Sequence, residues 1–423
     1  MIRFEKTKLA NGLTVIVHED RSTPLASMNI LYKVGARDEN PGRTGFAHLF
    51  EHLMFGGSEH IPDYDKPLQM AAGENNAFTN NDITNYYLTL PAANLETAFW
   101  LESDRMNNLA FSPKSLEVQR NVVIEEFKQR YLNQPYGDVW LLLRPLAYHV
   151  HPYRWATIGK EISHISDATL EDVRNFFYKH YCPDNAVLSV AGNVKKDEIY
   201  RLAEKWFGPI TRSTSYVRDL PQEPRQEERR NLTVEKEVPF DSLYLAFHGP
   251  ARLDDDYYAT DIMTDILSRG RSSRLYNKLV KDKKLFSEIA CYSSGDADKG
   301  LVMVEGKLVD GVRMEDAEQA LKEELNLLKQ EAVTEKELEK VKNKIESSLE
   351  FAEVDLSTRA LNLAIAEWMG DINLVNTEVE KFRSVNATQV MSVANSLFRD
   401  DNCSALYYMK KKTNGKGTRH GDA

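Results

Sequence analysis

Residues 45–58 read GFAHLFEHLMFGGS, and the reading of this stretch decides the rest. Its apolar residues recur at helical spacing, which predicts a helix over 43–56. His48 and His52 are four apart, one turn along the same face, so both imidazoles can point at one ion. Glu51 follows His48 by three and lies beside the same point. Phe46, Leu49, Phe50 and Leu53 fill the other faces, so the helix is expected to be largely buried. Two buried histidines and a carboxylate without partners are costly, and a divalent metal removes that cost. Zinc accepts imidazole and carboxylate ligands, and a catalytic zinc takes three protein ligands and keeps one position open. A neighbouring glutamate can then serve as general base toward the water the zinc binds. The competing reading is a partly exposed helix that carries HxxEH by chance, in a chain with 10 histidines.

A third ligand is required, and RNVVIEEFKQR (120–130) offers two candidates, Glu125 and Glu126. They adjoin the apolar pair Val122 and Val123 on a predicted helix, where only one of two adjacent residues can face the ion well. A solvated acidic patch is the competing reading of the pair.

The chain has 423 residues, more than one core usually serves, so two or more domains are expected. A net charge of −10 argues against a nucleic-acid surface, which needs clustered Lys and Arg. Cys182, Cys291 and Cys403 are odd in number and show no CxxC spacing, so no disulfide framework or cysteine zinc site is expected. The first 20 residues contain no apolar run of secretory type. The longest apolar run, VWLLLRPLAYHV, is too short to span a bilayer. A cytoplasmic chain with no membrane span is expected.

Strands are predicted over 12–20, 26–36 and 185–192, a strand pair over 75–91, and helices over 92–108, 112–133, 167–181 and 194–208. Residues 211–232 are polar with two prolines and read as a linker. The second half restarts with a strand (241–250), a helix (257–267) and one charged helical tract (314–350). Its end echoes the first half: Ala168-Thr169 aligns with Ala387-Thr388, and Asn185 with Asn402, at offsets of 219 and 217. The expected organisation is α+β, two similar sandwich domains, each a mostly antiparallel sheet with helices on one face: 1–210, a linker 211–232, 233–410 without a metal motif, and a disordered tail 411–423.

The segments LANGLTVIVHED, VGARDE, GFAHLFEHLMFGGS, NNAFTNNDITNYY, RNVVIEEF and HPYRWATIG, in this order and spacing, resemble the HxxEH (inverzincin) zinc peptidases of the pitrilysin, insulin-degrading enzyme and mitochondrial processing peptidase type, in their short two-domain bacterial branch. The resemblance covers nearly the whole chain. It implies His48 and His52 as ligands of one Zn2+ per chain and Glu51 as the base. It places the third ligand 74 residues after the second histidine, on Glu126. It implies that Asn76, Ala77, Phe78 and Thr79 form an edge strand to which peptide substrates add as a further strand.

Two departures stand out. The supporting glutamate that relatives carry seven before the ligand is here Gln119, a neutral amide that can still hydrogen-bond. The Arg and Tyr that self-sufficient relatives carry in their second half fall on Val280 and Ser287. The expected protein is therefore the zinc-bearing half of a heterodimer, its partner supplying that pair. Otherwise Arg271, Arg274, Tyr276 or Lys281 substitutes, and a homodimer is active. The expected activity is a zinc-dependent endopeptidase cleaving short or unfolded peptides inside a chamber. The alternatives are a non-catalytic assembly subunit on the same fold, which a complete metal motif argues against, and a metal hydrolase of non-peptide substrates.

Overall fold

The computed structural model describes residues 1–411 with the exception of residue 215. The first half builds a six-stranded sheet from β1 (Glu5–Lys8), β2 (Thr14–Glu19), β3 (Leu25–Tyr32), β4 (Glu74–Thr79), β5 (Thr84–Pro91) and β6 (Ala186–Gly192), in the order β1-β2-β6-β3-β5-β4. Its helices are α1 (Phe46–Leu53), α2 (Asp65–Met70), α3 (Leu95–Asn107), α4 (Pro113–Phe127), α5 (Val139–Ala147), α6 (Ser163–Ser166), α7 (Leu170–His180) and α8 (Lys196–Trp206). The second half builds a five-stranded sheet from β7 (Arg230–Lys236), β8 (Ser242–His248), β9 (Phe286–Ser293), β10 (Leu301–Leu308) and β11 (Cys403–Lys410), in the order β7-β11-β8-β10-β9. Its helices are α9 (Tyr257–Ser268), α10 (Met314–Gln330), α11 (Glu335–Ala352), α12 (Leu356–Trp368), α13 (Leu374–Ser384) and α14 (Ala387–Leu397). The α+β class and the two mostly antiparallel sheets are as expected from sequence.

The halves repeat one plan. β2 and β7 are the parallel partners of β6 and β11; the remaining pairs are antiparallel and end on β4 and β9 at the free edges. The caps set the register of the repeat. Thr169 and Asn386 each make a capping box at the start of α7 and α14. Asn185 and Asn402 each donate to the last turn of that helix, at His180 O (2.8 Å) and Leu397 O (3.0 Å). Thr169 therefore corresponds to Asn386, two residues from the alignment drawn on the Ala-Thr pairs, and the offset of 217 holds throughout this segment. The charged tract 314–350 is two helices, because Thr334 caps a new one with Glu337 closing the box. The expected long helix over 112–133 is α4 followed by a π-helical turn, Lys128–Leu132.

Periodicity does not announce which layer a helix joins. The inner faces of the sheets carry separate cores, around Val15, Met28, Ile30 and Leu188 in the first and Leu243, Leu245, Val302 and Ala405 in the second. Each outer face is covered by a helix of the other half. α5 places Val139, Leu143 and Ala147 against Tyr244, Met303 and Leu406. α12 places Leu363 and Ala364 against Ile16, Leu31 and Val187. Strands buried on both faces lose their polar alternation, as TVIVHE in β2 shows. The expected boundary at residue 210 thus separates the sheets but not the helices. The expected linker contains no helix or strand from 211 to 229 among the described residues, and its last three residues open β7. Of the expected tail, residues 412–423 lie outside the described residues. No helix among the described residues is long and apolar enough to cross a membrane.

One buried group sets an acid limit on this fold. His180 is fully buried at the end of α7, with no hydrogen-bond partner for either ring nitrogen among the described residues, and burial pushes its ring down from 6.5 to about 4. Between those values the unfolded chain binds a proton that the folded chain refuses. Stability is therefore complete above about pH 6.5 and falls as pH drops toward 4, by on the order of 3 kcal/mol for this group. Urea midpoints measured across that window should fall less steeply in His180→Phe; equal slopes would remove His180 as the cause.

Candidate metal centre

α1 has no side-chain cap of its own. Gly45 precedes it at φ +88, where a Cβ would also meet Ile158 O at 2.6 Å, so glycine is required twice over. The helix buries Phe46, Leu49, Phe50 and Leu53 as expected. Phe50 stacks on Phe176, and its carbonyl accepts from the buried Tyr86 hydroxyl (3.1 Å). Packed between α4 and β4, α1 turns His48 and His52 toward α4.

The structure brings His48, His52 and Glu126 together. Oε2 of Glu126 lies 3.5 Å from His48 Nε2 and 3.4 Å from His52 Nε2. One ligand atom from each of the three lies within 4.8 Å of the others. Ligands about 2.0–2.1 Å from a tetrahedral zinc sit about 3.3 Å apart, so the spacing and the two-histidine, one-carboxylate set fit that ion. Burial pushes His48 down to about 4, against the pull of Glu126, which leaves a neutral imidazole with a free lone pair. Glu126 is held below the usual carboxylate range, chiefly by its bond to His52. Its other oxygen takes Arg130 (2.9 Å), one turn on. Glu125 points away: its side chain is 59% exposed and pairs with Lys128 at 2.7 Å. Of the two adjacent glutamates on α4, it is Glu126 that faces the two histidines.

Glu51 is half-buried, and burial raises its carboxyl, offset by Thr79 and then by His52. Thr79 ends β4, so Glu51 and the edge strand adjoin. Asn76, Ala77, Phe78 and Thr79 all lie on β4, which among the described residues pairs only with β5. The Ala77 N–H turns to the free edge and donates to Asn76 Oδ1 (2.8 Å) instead of to β5. Gln119 lies on α4 beside Gly56, just past the end of α1, and among the described residues makes no hydrogen bond to the three candidate ligands.

In the second half, Val280 packs on the core and Ser287 donates to Lys307 O (3.2 Å). Arg274, one of the possible substitutes, is tied to Glu337 by two bonds of 2.7 and 3.0 Å. The counterpart of α1 is α9, which carries Asp261 and Asp265 four apart. Ser348 follows the Thr334 cap by the same fourteen residues that separate Glu126 from the Ser112 cap. These three residues line a cavity of about 290 Å³ together with Arg269 and Lys344. The second half thus sets acids against its own side-chain cations where the first half assembles histidines and a carboxylate. Sequence reasoning missed Arg130, whose signal was its i+4 spacing from Glu126, and Glu39, whose carboxylate accepts from Gly45 N (2.9 Å) and Ala47 N (2.8 Å).

The profile described as insulinase (peptidase family M16) matches residues 14–139, and that described as peptidase M16 inactive domain matches 167–345. Together they cover well over half of the chain, and the chain belongs to the M16 peptidase family as a two-domain member. It is 29% identical over 413 residues to the zinc protease PqqE of Helicobacter pylori, covering 96% of this chain and 92% of that one. It is 26% identical to the Bacillus subtilis chain named as the uncharacterized zinc protease YmxG, covering 94% and 96%. The crystal structure of a protease from Helicobacter pylori superposes with a TM-score of 0.90 at 27% identity, covering 96% of this chain and all of that one. The periplasmic protease PqqL of Escherichia coli shares the fold, with a TM-score of 0.79 at 18% identity, this chain spanning 47% of its length.

Proposed function

We propose that the chain is a zinc-dependent endopeptidase of short or unfolded polypeptides. The observation that carries this reading is the convergence of His48, His52 and Glu126 beside Glu51 at the end of an open edge strand. A zinc ion held there would supply Lewis acidity toward a carbonyl and lower the pKa of water. His48, His52 and Glu126 would hold it, with Arg130 orienting Glu126. Glu51 accepts the water's proton and returns it to the leaving amine, its half-buried carboxyl being more basic than a solvated one. An extended peptide adds beside β4, where backbone groups recognise backbone and ask little of sequence. Metal content separates this reading from that of an assembly subunit.

A related chain completes the chamber. Support comes from the positions of Val280 and Ser287, which offer neither guanidinium nor phenol, and from Arg274, which is spent on Glu337. A homodimer is the other arrangement, and co-purification from the native host distinguishes them. A cytoplasmic location suits three free, buried cysteines.

Hydrolysis of unfolded polypeptides by the purified, zinc-loaded chain tests the activity. Cleavage by this chain alone would establish a peptidase without the partner; cleavage only after a related chain is added would establish the heterodimer. Absence of bound zinc in the native chain would overturn the reading. Ala77→Pro removes one outward N–H from an edge that tolerates proline. It should raise KM about fivefold to tenfold, the worth of one hydrogen bond of ~1 kcal/mol, with zinc content unchanged. An unaltered KM would move substrate off β4.

A further inference from the structure

The five residues Gly35–Glu39 touch three parts of the molecule at once. On one side they take the turn between β4 and β5: Ala36 N donates to Asn80 O (3.1 Å) and Arg37 N to Asn81 O (2.9 Å). The approach is close enough that a Cβ at Gly35 would meet the Asn81 and Asp82 backbone at 2.5–2.6 Å. On a second side stands the turn between β9 and β10 of the second half. The buried Arg37 guanidinium bridges Asp82 (3.0 Å) and Asp298 (2.8 Å). Asp82 also accepts from Ala297 N (2.9 Å), and Asn81 donates to Asp296 (2.7 Å). The two edge hairpins, equivalent in the repeat, are thus joined tip to tip across Arg37. On the third side is Glu39, 6% exposed, which closes the start of α1. Its two oxygens take the N–H groups of Gly45 and Ala47, donors that no residue of the helix itself satisfies. Ala47 is the residue before His48.

We propose that the segment Ala36–Glu39 is a relay through which the second half holds the metal helix in place, with Glu39 as the positioning residue. The proposal rests on the reading of His48, His52 and Glu126 as a metal site. It gives the second half a task that its lack of metal ligands leaves unassigned: its Asp296–Asp298 turn steadies both the edge strand and, through Arg37 and Glu39, the helix bearing two ligands. A glutamate is suited because each of its two oxygens meets an N–H donor, whereas an isosteric amide would turn its own N–H group toward one of them.

The test is zinc affinity of the full chain, by competition with a chromogenic chelator, in Glu39→Gln, Asp298→Ala and the double variant. Glu39→Gln should weaken zinc binding about 10–100-fold, as changes behind metal ligands do, while the chain stays folded by circular dichroism. Asp298→Ala should weaken it about 2–30-fold, the usual range for coupling at a distance, and should add little once Glu39 is replaced. Zinc affinity within twofold of native in Glu39→Gln overturns the proposal, as does an undiminished effect of Asp298→Ala in that background. Should Glu39→Gln fail to fold, Asp298→Ala, at a side chain 43% exposed, decides: unchanged affinity overturns the relay. Failure of the native chain to bind zinc would instead overturn the reading of the site itself.

Discussion

Glu51→Gln is expected to keep the metal and lose turnover. Glu51 is not among the three residues whose donor atoms converge; it stands beside them, half-buried, with Thr79 and His52 as neighbours. An amide there preserves the volume and the neighbours but cannot take a proton. The loss should be about 10²–10⁴-fold in kcat, the usual worth of general base catalysis, with zinc stoichiometry and the unfolding midpoint near native. Zinc analysis and steady-state hydrolysis on one preparation decide it. Zinc lost together with activity would make Glu51 a ligand; activity retained would move the base elsewhere.

The second large effect separates two adjacent glutamates. Glu126→Gln should cost more in zinc affinity than the roughly 10–100-fold typical of residues behind a metal site, because it removes a charged donor atom. Glu125→Gln should change affinity less than twofold: its carboxylate pairs with Lys128 at the surface, and exposed pairs contribute little. Chelator competition on both variants reads the contrast directly. Equal losses, or a loss confined to Glu125→Gln, would mean that the face of α4 turned to the ion is not the one described.

The sheet plan leaves an edge open beside the candidate site. β4 ends its sheet, and among the described residues no strand pairs with its outer side. Unpaired edges invite association. Here Asn76 occupies the outward N–H of Ala77 with its own side chain, a bond that an incoming peptide backbone can replace. The corresponding edge in the second half, β9, carries Ser287, already bonded to its neighbour strand.

What could be read from the residues alone was local. A pair of histidines with a glutamate between them shares a face because helices have 3.6 residues per turn. A capped start such as Ser112-Pro113 declares itself in its own few residues. The helix that carries the two histidines, its apolar faces and the strand pair over 75–91 followed from such short-range rules; the edge position of the strand came only from the family resemblance. Glu126 over Glu125 did not, because phase on α4 is set by what the helix packs against, and sequence order alone leaves both in play; only the resemblance to a family chose between them. Three features belonged wholly to the tertiary structure. The exchange of α5 and α12 between the sheets depends on which apolar surface is left uncovered after each half folds. The correct register of the repeat came from caps, which are hydrogen bonds and not residue identities. Glu39 reaches α1 across a loop of irregular backbone, and no periodicity predicts where such a loop delivers a carboxylate.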